Sequence, residues 1–399
     1  MKIGWAVVAT VAAGCGSGSR AAPPVSRDSA GVTIVESSGP VWGSDNRWRV
    51  EPKAFLDIGS ADGDEPYLFN SVETALRLGD GTIVVANAGS GELRVFDSAG
   101  RHRRSVGRKG SGPGEFGQSS SVHIWRAPNG DIVAEDAGNR RVNIFDSAQV
   151  FRATVTLDLP PAGRTFLQDV LSDGSWLVRA LVEGSQSPPN EWRSTSVYHR
   201  YGSDGKHLAT LIQSPEALLL GASDGQMSTF LPVPFSPNSF AATQANTVLV
   251  NDEGAPRLIQ LAADGAIRSI YRWQAPRRRS VDLIEAYRSA ELAGTTDSAW
   301  KRIRGKFLSR SLPMSEFVPA YVRMIVDYGG NIWLQRYYLD SEKERINDIL
   351  APDGRWLGTV TLPAGLRVLQ VGPDFLLGWR RDESDVEHVV VHRLLKGTQ

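Results

Sequence analysis

Apolar residues along this chain come in short runs broken by Gly, Asn, Asp and Pro, and mostly avoid the 3.6-residue spacing of a helix. Residues 72–108 read VETALRL, GDG, TIVVANAG, ELRVFDS, AGR and HRRSVGR; residues 122–158 read VHIWRA, PNG, DIVAEDAG, NRRVNIFDS and FRATVTLD. Each unit is four strand-like segments joined by turns, which predicts an antiparallel four-stranded meander. The turn before the second segment recurs at Gly81, Gly130, Gly174, Asn246, Gly330 and Pro373, followed by TIVVA, DIVAE, SWLVRA, TVLVN, NIWLQ and DFLLGW. Six such units are therefore expected.

Three of the five intervals between these turns fall in the ~40–50 residues of a propeller blade, and two are much longer. The third unit runs on through SVYHRYGS, DGK and HLATLI into a Pro-interrupted loop expected at 214–237. After the fourth unit the period turns helical from Ser280 to Leu308. Leu283, Ile284 and Tyr287 share one face, as do Trp300, Ile303 and Phe307; Ser280 is the expected first cap, Gly294 the stop and Asp297 the second cap. The sixth unit, 366–394, has only three strands, and RWRVEPKAFLDIG at 47–59 supplies a fourth. The expected fold class is all-β: a six-bladed β-propeller over 31–396, with an N-terminal strand closing the last blade and a helical hairpin inserted at 280–308. Closure removes the exposed edges of an open sheet. GVTIVES at 31–37 reads as a further strand with no assigned place.

The first residues read differently. Met1 and Lys2 precede an apolar run of eleven residues, Ile3 to Ala13, too short for the ~20 residues of a spanning helix but suited to a signal peptide. Ala12-Ala13-Gly14-Cys15 resembles the lipobox of bacterial lipoproteins, in which the Cys is lipidated and becomes the first mature residue; Ala12 stands where Leu is usual. The resemblance implies a signal peptide over 1–14, a lipid anchor on Cys15, and export to the cell envelope. Residues 15–30 lack the apolar content for a core and read as a flexible tether. Cys15 is the single cysteine, which excludes an intrachain disulfide and a Cys-based metal cluster.

The stretch from Gly110 to Asp146 resembles an NHL-type repeat of six-bladed propellers, through Gly112, Gly114 and Phe116, then Asp136, Asn139, Arg141, Val142 and Phe145. The first unit keeps Asn87, Arg94, Val95 and Phe96, and the others keep only the strand rhythm. The chain as a whole is similar to bacterial six-bladed propeller lipoproteins.

Chemistry is sparse. The 44 basic and 44 acidic residues leave no net charge to capture nucleic acid, and an exported chain would not ordinarily meet it. No HExxH, nucleophile elbow, phosphate loop or dinucleotide fingerprint is present. His388 and His392 share a strand face and read as structural. Arg101 to Arg104, Arg277 to Arg279 and Lys301 to Lys306 read as solvated charge, with contact to anionic envelope components as the other option. Asp136, Asn139 and Arg141 are candidate ligand or metal contacts, although satisfying turn amides is the plainer reading. Glu73, Asn251 and Asp327 are further candidates near strand entrances. The leading functional expectation is a noncatalytic binding or scaffold protein for a protein or envelope component, needing no cofactor. The alternative is a lactonase-like hydrolase or lyase, which would hold Ca2+ in the central channel with carboxylates and Asn from several blades.

Overall fold

The computed structural model describes residues 23–43, 47–118, 121–158, 164–184, 190–339, 341–342 and 344–397. Cys15 and the signal segment lie outside these residues.

Six sheets follow one another along the chain. Blade one comprises Val72–Arg77, Ile83–Asn87, Glu92–Phe96 and His102–Val106, and blade two Val122–Arg126, Ile132–Asp136, Arg141–Phe145 and Phe151–Thr156. Blade three comprises Arg164–Val170, Trp176–Val182, Glu191–Tyr201 and His207–Ser223, and blade four Ala241–Gln244, Thr247–Asn251, Arg257–Leu261 and Ile267–Trp273. Blade five holds Tyr321–Val326, Ile332–Arg336, Arg345–Leu350 and Trp356–Leu362; blade six holds Arg367–Val371, Phe375–Arg381 and Glu387–Leu395. The last strand of blade six pairs with Arg49–Val50 and Leu56–Ile58, so both chain ends build one sheet.

The predicted second strands are all present, and the structure explains their composition. Each lies inside its sheet with both faces packed on neighbouring blades, so the apolar run is continuous; all five residues of Ile83–Asn87 are buried. The outermost strand His102–Val106 has no buried residue and reads as polar. The turn glycines are there for conformation. Gly81, Gly130, Gly174 and Gly330 take φ between +79° and +89°, and Ala245 adopts the same left-handed region at +52° in blade four.

Each blade interface has its own apolar cluster. Leu377 and Val389 of blade six meet Ile83 and Val85 of blade one, Ala86 meets Ile124, and Val133 meets Trp176. Leu177 then meets Val250, Leu258 meets Leu334, and Trp333 meets Leu376, which completes the ring. Side chains also clip one blade to the backbone of the next. The carboxylate of Glu387 accepts from Val72 N–H at 2.8 Å, Glu135 from Leu167 N–H at 2.6 Å and Asp169 from Thr243 N–H at 2.8 Å. The chain is thus a closed six-bladed β-propeller.

Three expectations are corrected. Residues 214–237 are not a loop, because His207–Ser223 runs on as one strand and returns as Ser228–Pro232, a hairpin standing beyond the blade. The unplaced strand Val32–Ser37 pairs in parallel with the outer strand of blade four and carries Val25–Ser29 outside it, so the last part of the expected tether is strand. Helix α1, Ser280–Gly294, has Arg279 at its N-cap with no side-chain cap; the Ser280 hydroxyl is buried without a partner. Helix α2, Ser298–Leu308, is capped by Asp297, whose carboxylate accepts from Trp300 N–H. Ile303 and Phe307 are buried as expected, but Trp300 is 39 % exposed. The apolar face of α2 is covered by the neighbouring insertion. It packs on Leu220, Ala222, Leu231 and Val233 of the extended hairpin, while Leu283 and Ile284 of α1 meet Phe235, Val318 and Leu339.

Candidate functional site

Strand direction decides which side of the ring carries the variable parts. First strands enter from one side, and on that side fourth strands end and second strands turn into third strands. The hairpin 207–232 and the helices at 280–308 both leave fourth strands and re-enter first strands, so both insertions crowd this entry side, across blades three to five.

The sequence candidates do not form one group. Asp136 is fully buried; it accepts from Gly117 N–H at 2.9 Å, Asn139 Nδ2 at 2.7 Å and Arg141 Nε at 3.0 Å. Arg141 also donates to the carbonyls of Ser111, Gly112 and Glu115, and Asn139 donates to that of Gly110. The trio therefore fastens the loop entering blade two. Asn251 takes the equivalent strand-end position in blade four, accepting from Phe240 N–H at 2.7 Å and donating to the Asn238 carbonyl. Asp327 sits on the opposite side of the ring in a turn, accepting from the backbone of Gly329 and Asn331 and from Trp333 Nε1. Of the candidates, Glu73 stands in the channel.

β-Bulges mark the inner strands of four blades. Register shifts interrupt the inner strands at Glu73, Gln168, Val322 and Leu369, and a bulge re-aims the side chain it carries. Glu73 Oε2 lies 3.7 Å from His123 Nε2, and Glu135 Oε2 lies 3.5 Å from His123 Nδ1. The ring thus stands between two carboxylates, each facing a different nitrogen, and Glu135 is already held by Leu167 N–H. That is a chain of groups, not a common coordination point. Among the described residues, no three His, Cys, Asp or Glu side chains are arranged to hold a metal ion. The Ca2+ expected under the hydrolase alternative meets no such set of three among the described residues.

Arginines stand further round the ring. Arg323 and Arg367, on the inner strands of blades five and six, lie within electrostatic reach of each other and of Tyr338. Burial and the neighbouring Arg367 push Arg323 down to about 10. Burial also lowers Arg367, against the opposing pull of Glu73 and Glu387. Arg345 covers the Tyr338 ring at 3.7 Å.

Tyr338 also borders a cavity of about 420 Å³ between the segment entering blade five and the loop at the top of that blade. Its apolar walls include Pro276, Val318, Pro319 and Ile346; its polar ones include Arg277, Arg278 and Arg336. Arg278 is paired with Glu342 at 2.7 Å. Arg336 reaches back to Asp348, a fully buried carboxylate that also accepts from Tyr321 Oη at 2.5 Å and Trp356 Nε1 at 3.1 Å. Burial works against the Arg336 charge, but the bond to Asp348 outweighs it and raises its pKa. Arg277 stands over the Phe317 ring at 4.3 Å and lines both this cavity and a smaller one of about 210 Å³ beside it. Arg277 and Arg278 are therefore not simply solvated charge.

Comparison with known proteins agrees with the fold and stops there. Residues 65–169 match the DUF5128 family, described as a 6-bladed beta-propeller. That is about a quarter of the chain. No curated protein matches. Among solved structures, a candidate exported protein of Bacteroides fragilis is similar over 91 % of this chain and all of its own, at 14 % identity and a TM-score of 0.49. A DUF4221 member from Bacteroides vulgatus is similar over 88 % of this chain and all of its own, at 12 % identity and 0.47. Virginiamycin B lyase from Staphylococcus aureus is similar over 87 % and 99 %, at 8 % identity and 0.39.

His123, Arg323, Arg336 and Arg367 were not among the sequence candidates. His123, Arg323 and Arg367 lie in blades two, five and six, and Arg336 pairs across the sheet with Tyr321 in blade five, so no local spacing could have selected them.

Proposed function

We propose that the protein is a noncatalytic binding protein of the cell envelope, exported by its signal segment, held at the membrane through lipid on Cys15, and recognising its ligand or partner on the entry side of the propeller. The cavity of about 420 Å³ carries this reading. Its volume lies in the ~300–1,000 Å³ range of small-ligand sites. Its walls combine apolar surface, two tyrosines and arginines, and they are built by the variable segments while the sheets supply a rigid base.

Two measurements test this. Cys15→Ala should move the protein from the membrane to the soluble fraction; wild-type protein that is wholly soluble with residues 1–14 retained removes the anchor from the proposal. Native mass spectrometry of wild type and Arg277→Glu against envelope extracts should show a species retained by the first and lost by the second. Chemical conversion of that species on incubation would replace binding by catalysis.

A further inference from the structure

We propose that the channel mouth between blades five and six is an oxyanion site, taking a carboxylate or phosphate group between Arg323 and Arg367. This goes beyond the cavity reading and does not depend on it.

Charge without partners carries the inference. Among the described residues, Arg323 makes no hydrogen bond and no ion pair, and its charged neighbour is another arginine. Arg367 spends one nitrogen on the carbonyls of Val72 and Glu73, at 2.7 and 3.2 Å, and stacks on Trp379 at 4.6 Å. Its Nε–H is buried with no acceptor at all. Arg345 is committed to the carbonyls of Glu342 and Glu344 while covering Tyr338, and so adds positive potential without consuming an anion. The carboxylates nearby do not resolve this. Glu387 accepts from Val72 N–H and is paired with Arg381 at 3.1 Å, and Glu73 faces His123 of the adjacent blade. A secluded guanidinium is costly unless paired and hydrogen-bonded, and two side by side cost more. A guanidinium presents its donors as a planar fork that matches the paired oxygens of a carboxylate or phosphate. An oxyanion bound here would take the free fork of Arg323 together with Arg367 Nη1, which makes no hydrogen bond among the described residues.

Inorganic phosphate and malonate are the probes, titrated at constant ionic strength against chloride and read as the melting temperature of the full chain. The wild type should show a saturable rise of roughly 2–4 °C with at least one of them. A preference for phosphate points to phosphorylated ligands, and one for malonate to carboxylates. Arg323→Gln should abolish the rise, and in chloride alone it should melt no lower than the wild type, since it removes an unpaired charge and breaks no bond. Arg367→Gln should weaken the response at least tenfold; if it does not fold, having lost the carbonyl bonds to blade one, Arg323→Gln decides alone. Absence of a saturable rise in the wild type overturns the proposal, and so does an unchanged rise in Arg323→Gln.

Discussion

Asp348→Ala tests whether the cavity wall is held in place by the core beneath it. Asp348 is fully buried and accepts from four donors: Tyr321 Oη, Arg336 Nε and Nη2, and Trp356 Nε1. Not all four are orphaned by its loss. Trp356 Nε1 also reaches the Gly358 carbonyl at 3.2 Å, and Arg336 is 22 % exposed and turns partly to water. The Tyr321 hydroxyl is worst placed, because it already accepts from Trp273 Nε1 and would have no acceptor for its own proton. One buried hydroxyl left unpaired costs ~1–3 kcal/mol, and breaking a buried ion pair ~3–5 kcal/mol. Discounting the second for the exposure of Arg336, the expected loss is about 3–4 kcal/mol. Urea unfolding followed by tryptophan fluorescence measures it, since Trp273 and Trp356 lie in the same cluster. Arg336→Met with Asp348→Ala should recover about 1–2 kcal/mol of the loss, because the unpaired cation is gone. A loss under about 1 kcal/mol for Asp348→Ala, or a double variant no more stable than the single, would show that the network does not support the wall.

Two further outcomes are expected. Burial raises the Asp169 pKa above its ordinary value near 3.8 despite the bonds from Thr243, so this group favours the fold at low pH and loses that contribution as pH rises through the raised value; the difference in urea midpoint between wild type and Asp169→Asn should therefore shift against the wild type as pH rises above about 4 and be flat below it, and a pH-independent difference contradicts the assignment. Phe307→Ala, at a 2 % exposed position between α2 and the extended hairpin, should cost ~3–5 kcal/mol locally, with amide exchange accelerating over 280–308 and 216–232 and little changed in blades one, two and six; acceleration spread evenly through all blades would make the insertion part of the propeller core.

How much of this was legible depended on the range of the interactions concerned. Second strands could be read because burial on both faces makes them continuous apolar runs, and their turns because positive φ selects Gly; both signals are local. The helices could be read from periodicity, but what they cover could not. Leu283, Ile284, Ile303 and Phe307 demanded a partner, and the missing fact was that 214–237 carries one: Leu220 and Leu231 on a hairpin that outruns its blade, and Val233 and Phe235 just after it. Pro215 and the glycines at 221 and 225 made that stretch read as loop, when in fact Pro215 lies inside the strand, where the register shifts between Arg193 and Thr195. The two insertions are therefore one unit, each apolar where the other is. That changes how the entry side should be understood, because deleting 280–308 would leave the hairpin's apolar face in water instead of removing an independent recognition element.

The same limit applies to the chemistry, with a different cause. Asp136, Asn139 and Arg141 stand out in sequence because they lie within six residues of one another, and residues so close serve each other and the loop beside them. Arg323 and Arg367 come from the inner strands of two neighbouring blades, and neither has an acidic partner that local sequence would have supplied. In a propeller the inner strands converge on one axis, so unpaired charge there marks positions whose partner comes neither from the strand nor from its own blade. Glu73 was singled out from such a strand, and it is the candidate that reached the channel. Its counterparts at the other bulges, Gln168, Val322 and Leu369, differ in chemistry from blade to blade, and Leu369 packs into the apolar cluster between blades six and one, so a bulge alone does not bring a side chain to the channel.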